Sequence, residues 1–520
     1  MCHLRDRRSI AQQRTAQRST GAMELLPGVR YPHIMRAMDA KQIGSRISIA
    51  SLSLFAAALA VATTSERLPD LGDASSAIVS LEVERSLGEQ FLRQIRSRVP
   101  TVRDPILKYY TELQLAQLAE HSELKTKVLH PVLIDSPQLN AFAAPGGVVG
   151  INMGLYLYSK DVHEYSSVLA HELAHLSQRH FARGVEMQQR QTLPYLAAML
   201  ASIVIAATAG SDAGMAAISA TQGVAQQSQL RFSRGREQEA DRIGINTMYE
   251  AGLDPHGMSR MFERMQRAYR YSRRPPEFLL THPLTESRIS DARNQSSQYP
   301  RRGYADSQHF QLMRARAVVR YAETPSQGVQ QFRDLVEQTD GADWAYYGLA
   351  VALGAAERHE EALDTAKIIF PSHPRDILYI STHADLLIGA KRFDEAIGLL
   401  AHQLVINPDN KPMSVLYAAA LTGARRYEDA EEVLEHLSTI YRDDDDIWFD
   451  LAETAGLAGN TIGVHQARAE YFALVGNYQS AIKHLEYARV LADPDNYQLN
   501  ARIDQRIRDF RGELEEMRRS

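Results

Sequence analysis

The chain has 520 residues, 44% of them hydrophobic, so we expect two or three domains rather than one small module. Its net charge is −5, and the absence of a long basic run interleaved with aromatic residues excludes nucleic acid as a partner. The one cysteine, Cys2, excludes an internal disulfide and cysteine-based metal ligation, which leaves histidine and carboxylate side chains as ligands.

Residues 38–62 have the pattern of an export signal. Lys41 and Arg46 precede an apolar stretch at 47–61, which ends in an Ala-Val-Ala cleavage site. The apolar stretch is short for a membrane span. These features favour cleavage, with a mature N-terminus near Thr63, over the alternative of a membrane anchor.

Residues 1–37 show no hydrophobic pattern. We interpret them as an extension that precedes a true start at Met35 or Met38, and we interpret 63–80 as a linker. Removal of the signal would also remove Cys2 and leave a protein without cysteine, which suits an oxidising periplasm.

Residues 81–305 are predicted to form an α+β domain. Segments with the periodicity of helices lie on both sides of one strand-like passage, LNAFAAPGGVVGINMGLYLY. In this passage Pro145, Gly146 and Gly147 form the turn. The part of this passage that matters for function is the strand around 140–144. It is either an edge strand or an ordinary paired core strand.

The segment SVLAHELAHLSQRH at 167–180 carries two histidines at helical spacing. His171 and His175 are four residues apart and share one face of the predicted helix. This spacing lets both imidazoles bind one Zn²⁺ while Glu172 reaches a water molecule. The alternative is an ordinary surface helix, so the prediction requires a third ligand.

Residues 193–210 form an apolar stretch that barely reaches the length of a membrane span. Its many alanines and the polar segment that follows favour a helical hairpin or lid near the active site. Peripheral association with a membrane through residues 193–223 stays open.

The passage FSRGREQEADRIGI supplies acidic residues from a second predicted helix. Glu237 and Asp241 share one helical face, so Glu237 could bind the metal while Asp241 accepts a hydrogen bond from a ligand histidine. Glu239 points elsewhere. A solvated acidic helix is the alternative, and spacing alone does not decide between the two.

Residues 309–520 are predicted to be an all-α solenoid of four to six tetratricopeptide repeats. Ala362, Ala396 and Ala430 recur at an interval of 34 residues, which is the period of this repeat. An unrelated helical bundle is the alternative. The run DDDD at 443–446 is interpreted as a solvated acidic turn.

The motifs HELAHLSQRH and, further along the chain, SRGREQEADRIG resemble the M48 family of zinc metallopeptidases. The metzincin pattern does not fit, because Gln178 and Phe181 stand where it requires glycine and histidine. The resemblance implies a mainly α protein with a zincin-type active-site helix. It also implies one Zn²⁺ per chain, with Glu237 as the third ligand and Asp241 in contact with a ligand histidine.

The order of NAFAAPGGVV, EADRIG, THPLTESR and a repeat tail resembles a periplasmic branch of this family. That resemblance implies a Gram-negative enzyme of the periplasm, peripheral at the outer membrane. Its substrates would be unfolded or stalled outer-membrane proteins, and its repeats would bind the outer-membrane barrel assembly machinery. A chaperone or assembly scaffold with secondary or vestigial proteolysis is the alternative function.

The predicted chemistry is metal-assisted peptide hydrolysis. Glu172 would act as the general base. The strand residues Asn140, Ala141, Phe142 and Ala143 would pair with an extended substrate. The repeats would select partners without contributing to bond cleavage.

His282 is predicted to control access to the metal, because Pro283 restricts it to extended geometry on a loop. It would either occupy the open zinc position at rest or join Arg288 in stabilising the oxyanion. We favour the first role, and a loop histidine bonded to neighbouring backbone is the alternative to both.

Overall fold

The computed structural model describes residues 79–186, 226–270 and 276–519. The predicted signal peptide, the residues before it, most of the linker at 63–80 and the apolar stretch at 193–210 lie outside these ranges. Within them, no helix is both long enough and apolar enough to cross a bilayer.

Two helices open the described chain. The helix α1 spans Leu81–Arg98 and α2 spans Pro105–Glu120. Ser80 and Asp104 accept hydrogen bonds from backbone N–H groups in the first turns, which have no partner inside the helices. Pro105 suits the first turn of α2 because that position needs no N–H.

Three strands form one sheet within the described ranges: β1, His130–Ile134; β2, Ala141–Ala144; and β3, Val148–Asn152. The spatial order is β1-β3-β2, with β1 parallel and β2 antiparallel to β3. Among the described residues β2 pairs with β3 alone. The predicted substrate strand is therefore an edge strand rather than a strand paired on both sides.

The turn between β2 and β3 depends on glycine. Gly146 and Gly147 have φ angles of 73° and 80°, a left-handed region that residues with a β-carbon rarely adopt. Phe142 lies opposite Gly150, where an added β-carbon would come within 2.1 Å of the phenyl ring. These residues together hold β2 close against β3.

Seven helices complete the first half in the described chain. They are α3, Gly154–Tyr158; α4, Val162–Ser177; α5, His180–Glu186; α6, Gln226–Glu250; α7, His256–Arg270; α8, Glu277–Thr281; and α9, Glu286–Ser296. The helix α4 contacts α2, α6, α7 and β2, and residues 162–174 of it are all buried. Its polar side chains therefore need partners from these neighbours.

Twelve helices follow in the second half. They are α10, Gln308–Arg320; α11, Pro325–Gln338; α12, Asp343–Ala355; α13, His359–Ile369; α14, Ile377–Gly389; α15, Phe393–Ile406; α16, Lys411–Gly423; α17, Tyr427–Ile440; α18, Asp445–Ala458; α19, Thr461–Leu474; α20, Tyr478–Leu491; and α21, Tyr497–Arg519. Ala362, Ala396 and Ala430 are all buried. The predicted fold class, mainly α with a small sheet, is confirmed.

The acidic run at 443–446 packs against α2. Lys108 Nζ is 3.1 Å from Asp444 Oδ1 and 2.8 Å from Asp446 Oδ2. Lys411 Nζ is 2.6 Å from the other oxygen of Asp444, whose side chain is 8% exposed. The prediction of a solvated turn is wrong for Asp444, because a lysine more than three hundred residues away neutralises it.

The first repeat helix also joins the two halves. Arg316 on α10 contacts Asp104 at the start of α2, at 2.8 Å, and Asp385 on α14, at 2.9 Å. From residue 79 onward the described chain forms a single compact unit. The boundary predicted between 305 and 309 therefore has close contacts across it.

Candidate metal centre

Two helices bring together the three residues predicted as ligands. His171 and His175 lie one turn apart on α4, and their Nε2 atoms are 3.0 Å apart. Glu237 on α6 faces them. Its Oε2 is 3.4 Å from Nε2 of His171, and its Oε1 is 3.4 Å from Nε2 of His175.

His282 adds a fourth side chain to this cluster. It follows α8, and its Nδ1 is 3.1 Å from Oε2 of Glu237 and 3.3 Å from Nε2 of His171. One ligand atom from each of the four side chains lies within 4.8 Å of the other three. Three ring nitrogens and one carboxylate converging on a point fit a tetrahedral metal site, with zinc as the metal that such donors favour.

The charges of these groups are consistent with cation binding. Burial lowers the pKa of His175 well below its ordinary value, so its ring offers a lone pair. Burial raises the pKa of Glu237, but His282 and His171 outweigh this effect and hold it well below the ordinary value. Burial lowers the pKa of His171, but hydrogen bonds with Asp241 and Glu237 outweigh it and raise that pKa to about 9. A metal ion must therefore displace a proton from His171.

Asp241 and Arg288 surround the ligands. Asp241 Oδ1 lies 2.9 Å from Nδ1 of His171, on the side of the ring away from Glu237. Arg288 is buried and donates from Nε and Nη2 to Asp241 and from Nη1 to the carbonyl of Pro283. Its Nη1 is also 2.9 Å from Glu237. These contacts favour a positioning role for Arg288 over the predicted oxyanion role.

Glu172 lies beside the cluster and is 1% exposed. Burial raises the pKa of its carboxyl group. One oxygen, Oε1, has no hydrogen-bond partner within the described residues, although Nε2 of His282 is 3.4 Å away. A buried carboxylate oxygen that accepts no hydrogen bond from the described residues, next to four converging side chains, fits a site that holds a metal ion and a water molecule.

The edge of β2 that faces away from β3 runs past Glu172. The N–H of Asn152 donates to the carbonyl of Asn140 at 3.1 Å. Because pairing groups alternate along an antiparallel strand, the peptide groups of Ala141 and Ala143 point away from β3. The backbone of Ala143 is hydrogen-bonded to Glu172. The edge predicted for substrate binding therefore lies beside the predicted general base.

Two residues near the cluster had no role in the sequence analysis. The Nδ1 atoms of His180 and His175 are 2.8 Å apart. The Nε2 of His180 lies 3.1 Å from Oε2 of Glu239. Arg183 donates to the same carboxylate. Glu239 points away from the metal cluster, as its helical position predicted. The spacing of five residues between the two histidines gave no signal of contact, because it separates side chains widely around a regular helix.

The sequence matches two known families. Residues 108–296 match peptidase family M48, and residues 387–452 match a tetratricopeptide repeat family. The beta-barrel assembly-enhancing protease of Escherichia coli strain K12 is 33% identical over 467 residues, which cover 88% of this chain and 94% of that protein.

Two further relatives show how far the similarity extends. The beta-barrel assembly-enhancing protease of Yersinia pestis is 32% identical and covers 84% of this chain and 91% of its own length. The mitochondrial metalloendopeptidase OMA1 of Schizosaccharomyces pombe is 29% identical over 219 residues, or 41% of this chain and 60% of that protein. The likeness to the bacterial proteins thus spans nearly their whole length.

Proposed function

The chain belongs to the M48 metallopeptidases, in the group of the beta-barrel assembly-enhancing proteases, and from that membership we propose that it is a zinc-dependent endopeptidase of the periplasm. Its substrates are unfolded or stalled outer-membrane proteins. The observation that carries this proposal is the convergence of His171, His175, Glu237 and His282 beside Oε1 of Glu172, which accepts no hydrogen bond from the described residues.

His171, His175 and Glu237 are the proposed zinc ligands. Zinc held by these residues would supply Lewis acidity, which would lower the pKa of a water molecule to about 7 and polarise the carbonyl of the scissile peptide. Asp241 holds the His171 ring by its Nδ1, and Arg288 holds Asp241 and Glu237. The ligands are thereby kept in position before any substrate arrives.

Glu172 is the proposed general base. Its buried carboxyl group has a raised pKa, which brings it nearer to the working pH of a proton-transfer group. Its Oε1 would take a proton from the attacking water, and the carboxyl group would then give that proton to the leaving amine. The hydrogen bond with Ala143 ties this group to the strand that carries the substrate.

The edge strand β2 is the proposed substrate-binding strand. The peptide groups of Ala141 and the carbonyl of Ala143, which face away from β3, are proposed to pair with an extended backbone, while the N–H of Ala143 is held by Glu172, and such pairing gives affinity with little dependence on side chains. An unfolded chain can offer such a free strand, whereas a folded barrel cannot. This requirement supports a role in removing proteins that have failed to assemble.

His282 is proposed to close the resting site. The Nδ1 of His282 lies within hydrogen-bond distance of Glu237, at 3.1 Å. This position supports a role for His282 as a fourth ligand that excludes the attacking water. Opening requires the loop after α8 to move. The alternative, that His282 stabilises the oxyanion, requires its ring to leave the ligand cluster and face the substrate carbonyl.

The repeats are proposed to bring the enzyme to the outer-membrane barrel assembly machinery. This partner comes from the relatives named as beta-barrel assembly-enhancing proteases, and the helical repeats supply a surface of the kind that binds proteins. A chaperone with vestigial proteolysis would not need the proposed ligands and the proposed general base to lie together at one site.

Metal removal and replacement tests the proposal. We expect the mature full-length protein to contain one zinc ion, to cleave unfolded casein, and to lose this activity after dialysis against a chelator. Adding Zn²⁺ back should restore cleavage, while Mg²⁺ should not, because it disfavours nitrogen ligands. Cleavage that survives complete metal removal would overturn the proposal.

A further inference from the structure

A chain of three side chains leads away from the metal cluster behind His175. The Nε2 of His175 faces Glu237, and its Nδ1 faces Nδ1 of His180 at 2.8 Å. The Nε2 of His180 faces Glu239 at 3.1 Å. Arg183 completes the chain, with Nη1 3.1 Å from Glu239. His180 is 4% exposed, so its ring has little access to water.

A break in the helix creates this contact. Residues five apart on a regular helix point about 140° away from each other, so His180 would face away from His175 if α4 continued. Arg179 instead has a φ angle of 49°, which ends α4 and redirects the chain. The side chain of Arg179 binds Glu84 and the carbonyl of Val79, contacts that hold this uncommon conformation.

The hydrogen positions follow from the partners. If Nε2 of His175 binds the metal, its Nδ1 must carry the proton and donate it to His180. Nδ1 of His180 then accepts, so its Nε2 carries a proton and donates to Glu239. Each atom of the chain has one role in this arrangement. Neither ring nitrogen of His180 is left to bind the metal itself.

We propose that His180 and Glu239 form a hydrogen-bonded relay that fixes the orientation and tautomer of His175. The relay would orient the ring of His175 through its Nδ1, as Asp241 orients the ring of His171 through its Nδ1. This inference rests on the proposed role of His175 as a zinc ligand. His180 and Glu239 are positioning residues, because neither touches the substrate or the metal.

Two substitutions of His180 separate the relay from simple packing. His180→Asn keeps a polar atom at the position of Nδ1, where its amide oxygen can accept from His175, but it cannot reach Glu239. His180→Phe fills the space and accepts no hydrogen bond. The readout is the zinc affinity of the full-length protein, measured by competition with a chelator, together with thermal unfolding of the metal-free protein.

We expect His180→Phe to lower zinc affinity by about 10- to 100-fold, the usual effect of losing the partner of a metal-bound histidine. His180→Asn should lose only about threefold, which corresponds to the loss of one hydrogen bond. Glu239→Ala should also lose about threefold for the same reason. Glu250→Ala, on the exposed end of the same helix, is the matched control and should bind zinc as the wild type does.

Unchanged zinc affinity in His180→Phe would overturn the relay, and so would equal losses in His180→Asn and His180→Phe. Unchanged zinc affinity in Glu239→Ala would show that Glu239 is not part of the relay. These outcomes differ from a failure of the proposed function, in which the wild-type protein itself would bind no zinc. Because the side chain of Glu239 is 34% exposed, its replacement tests the relay even if His180→Phe does not fold.

Discussion

Arg288 donates two hydrogen bonds of 2.7 Å each to Asp241, from Nε and Nη2 to the two carboxylate oxygens. Both residues are buried, so the pair is shielded from water. This bidentate contact fixes the position of the carboxylate that lies 2.9 Å from Nδ1 of His171. Arg288 also contacts the proposed ligand Glu237 directly, at 2.9 Å, so a test of its proposed positioning role should measure metal binding as well as turnover.

Replacing Arg288 with lysine should weaken metal binding. Lysine keeps the positive charge but cannot donate two parallel hydrogen bonds to Asp241. We expect zinc affinity to fall by about tenfold or more, the usual effect of disturbing the partner of a ligand histidine. Equilibrium dialysis with zinc measures this effect. A lower turnover rate with unchanged zinc affinity would instead support the oxyanion role.

Replacing His282 with alanine should raise proteolysis. The substitution removes the ring that closes the resting site, so casein cleavage and self-cleavage should both increase. If His282 is an oxyanion donor, the same change should lower the catalytic rate about a hundredfold. Initial rates at saturating casein separate the two outcomes by their sign. Unchanged rate and unchanged zinc affinity would contradict both roles.

Replacing Asp444 with asparagine should destabilise the whole described unit. The substitution removes one carboxylate partner from Lys108 and from Lys411, which keep Asp446 and Glu112 as partners, and losing a hydrogen bond to a charged group costs about 1.5 to 3 kcal/mol. Urea unfolding at neutral pH measures the free energy of unfolding. Asp429→Asn is a suitable control, because Asp429 forms only an exposed pair with Arg426. Equal stability of the Asp444 variant and this control would contradict the buried contact.

The stability contributed by Asp444 should depend on pH. Burial raises its pKa, but Lys108 and Lys411 outweigh burial and leave the pKa below its ordinary value. A lowered pKa in the folded state stabilises the protein above the unfolded pKa of about 4, and this stability disappears as the pH falls below it. The difference in free energy of unfolding between wild type and Asp444→Asn should therefore shrink below pH 4. A difference that grows on acidification would contradict this assignment.

The same interface limits what deletion of the repeats can show. Lys108 on α2 is neutralised by residues of the second half, and removing residues 309–520 would leave it without them. Point substitutions on the exposed faces of the repeats are therefore the better test of partner selection. We expect them to reduce recruitment to the assembly machinery, measured by cross-linking, and to leave casein cleavage unchanged.

Local patterns predicted which side chains lie together at the candidate site. The spacing of His171 and His175 fixes one face of a helix, and the same rule joins Glu237 to Asp241. The family resemblance then supplied the pairing of the two helices, which spacing alone left open. The repeat period of 34 residues predicted the second half because each unit repeats the same buried alanine.

Contacts between distant or irregular segments could not be predicted. The link between His175 and His180 depends on the positive φ angle of Arg179, and nothing in the sequence marks an arginine for that conformation. The burial of Asp444 depends on Lys108, far away in the chain. Periodicity describes one element at a time, so it does not show which charges meet when elements pack.

Glu172 is the proposed general base of a zinc endopeptidase, and the proposed function depends on this role. The most direct test compares casein cleavage and zinc content in wild type, Glu172→Gln and the surface control Glu250→Gln. Glutamine keeps the size of the side chain but cannot take a proton, so we expect bound zinc to be retained and cleavage to fall about 100-fold or more. Equal cleavage by wild type and Glu172→Gln would contradict the account.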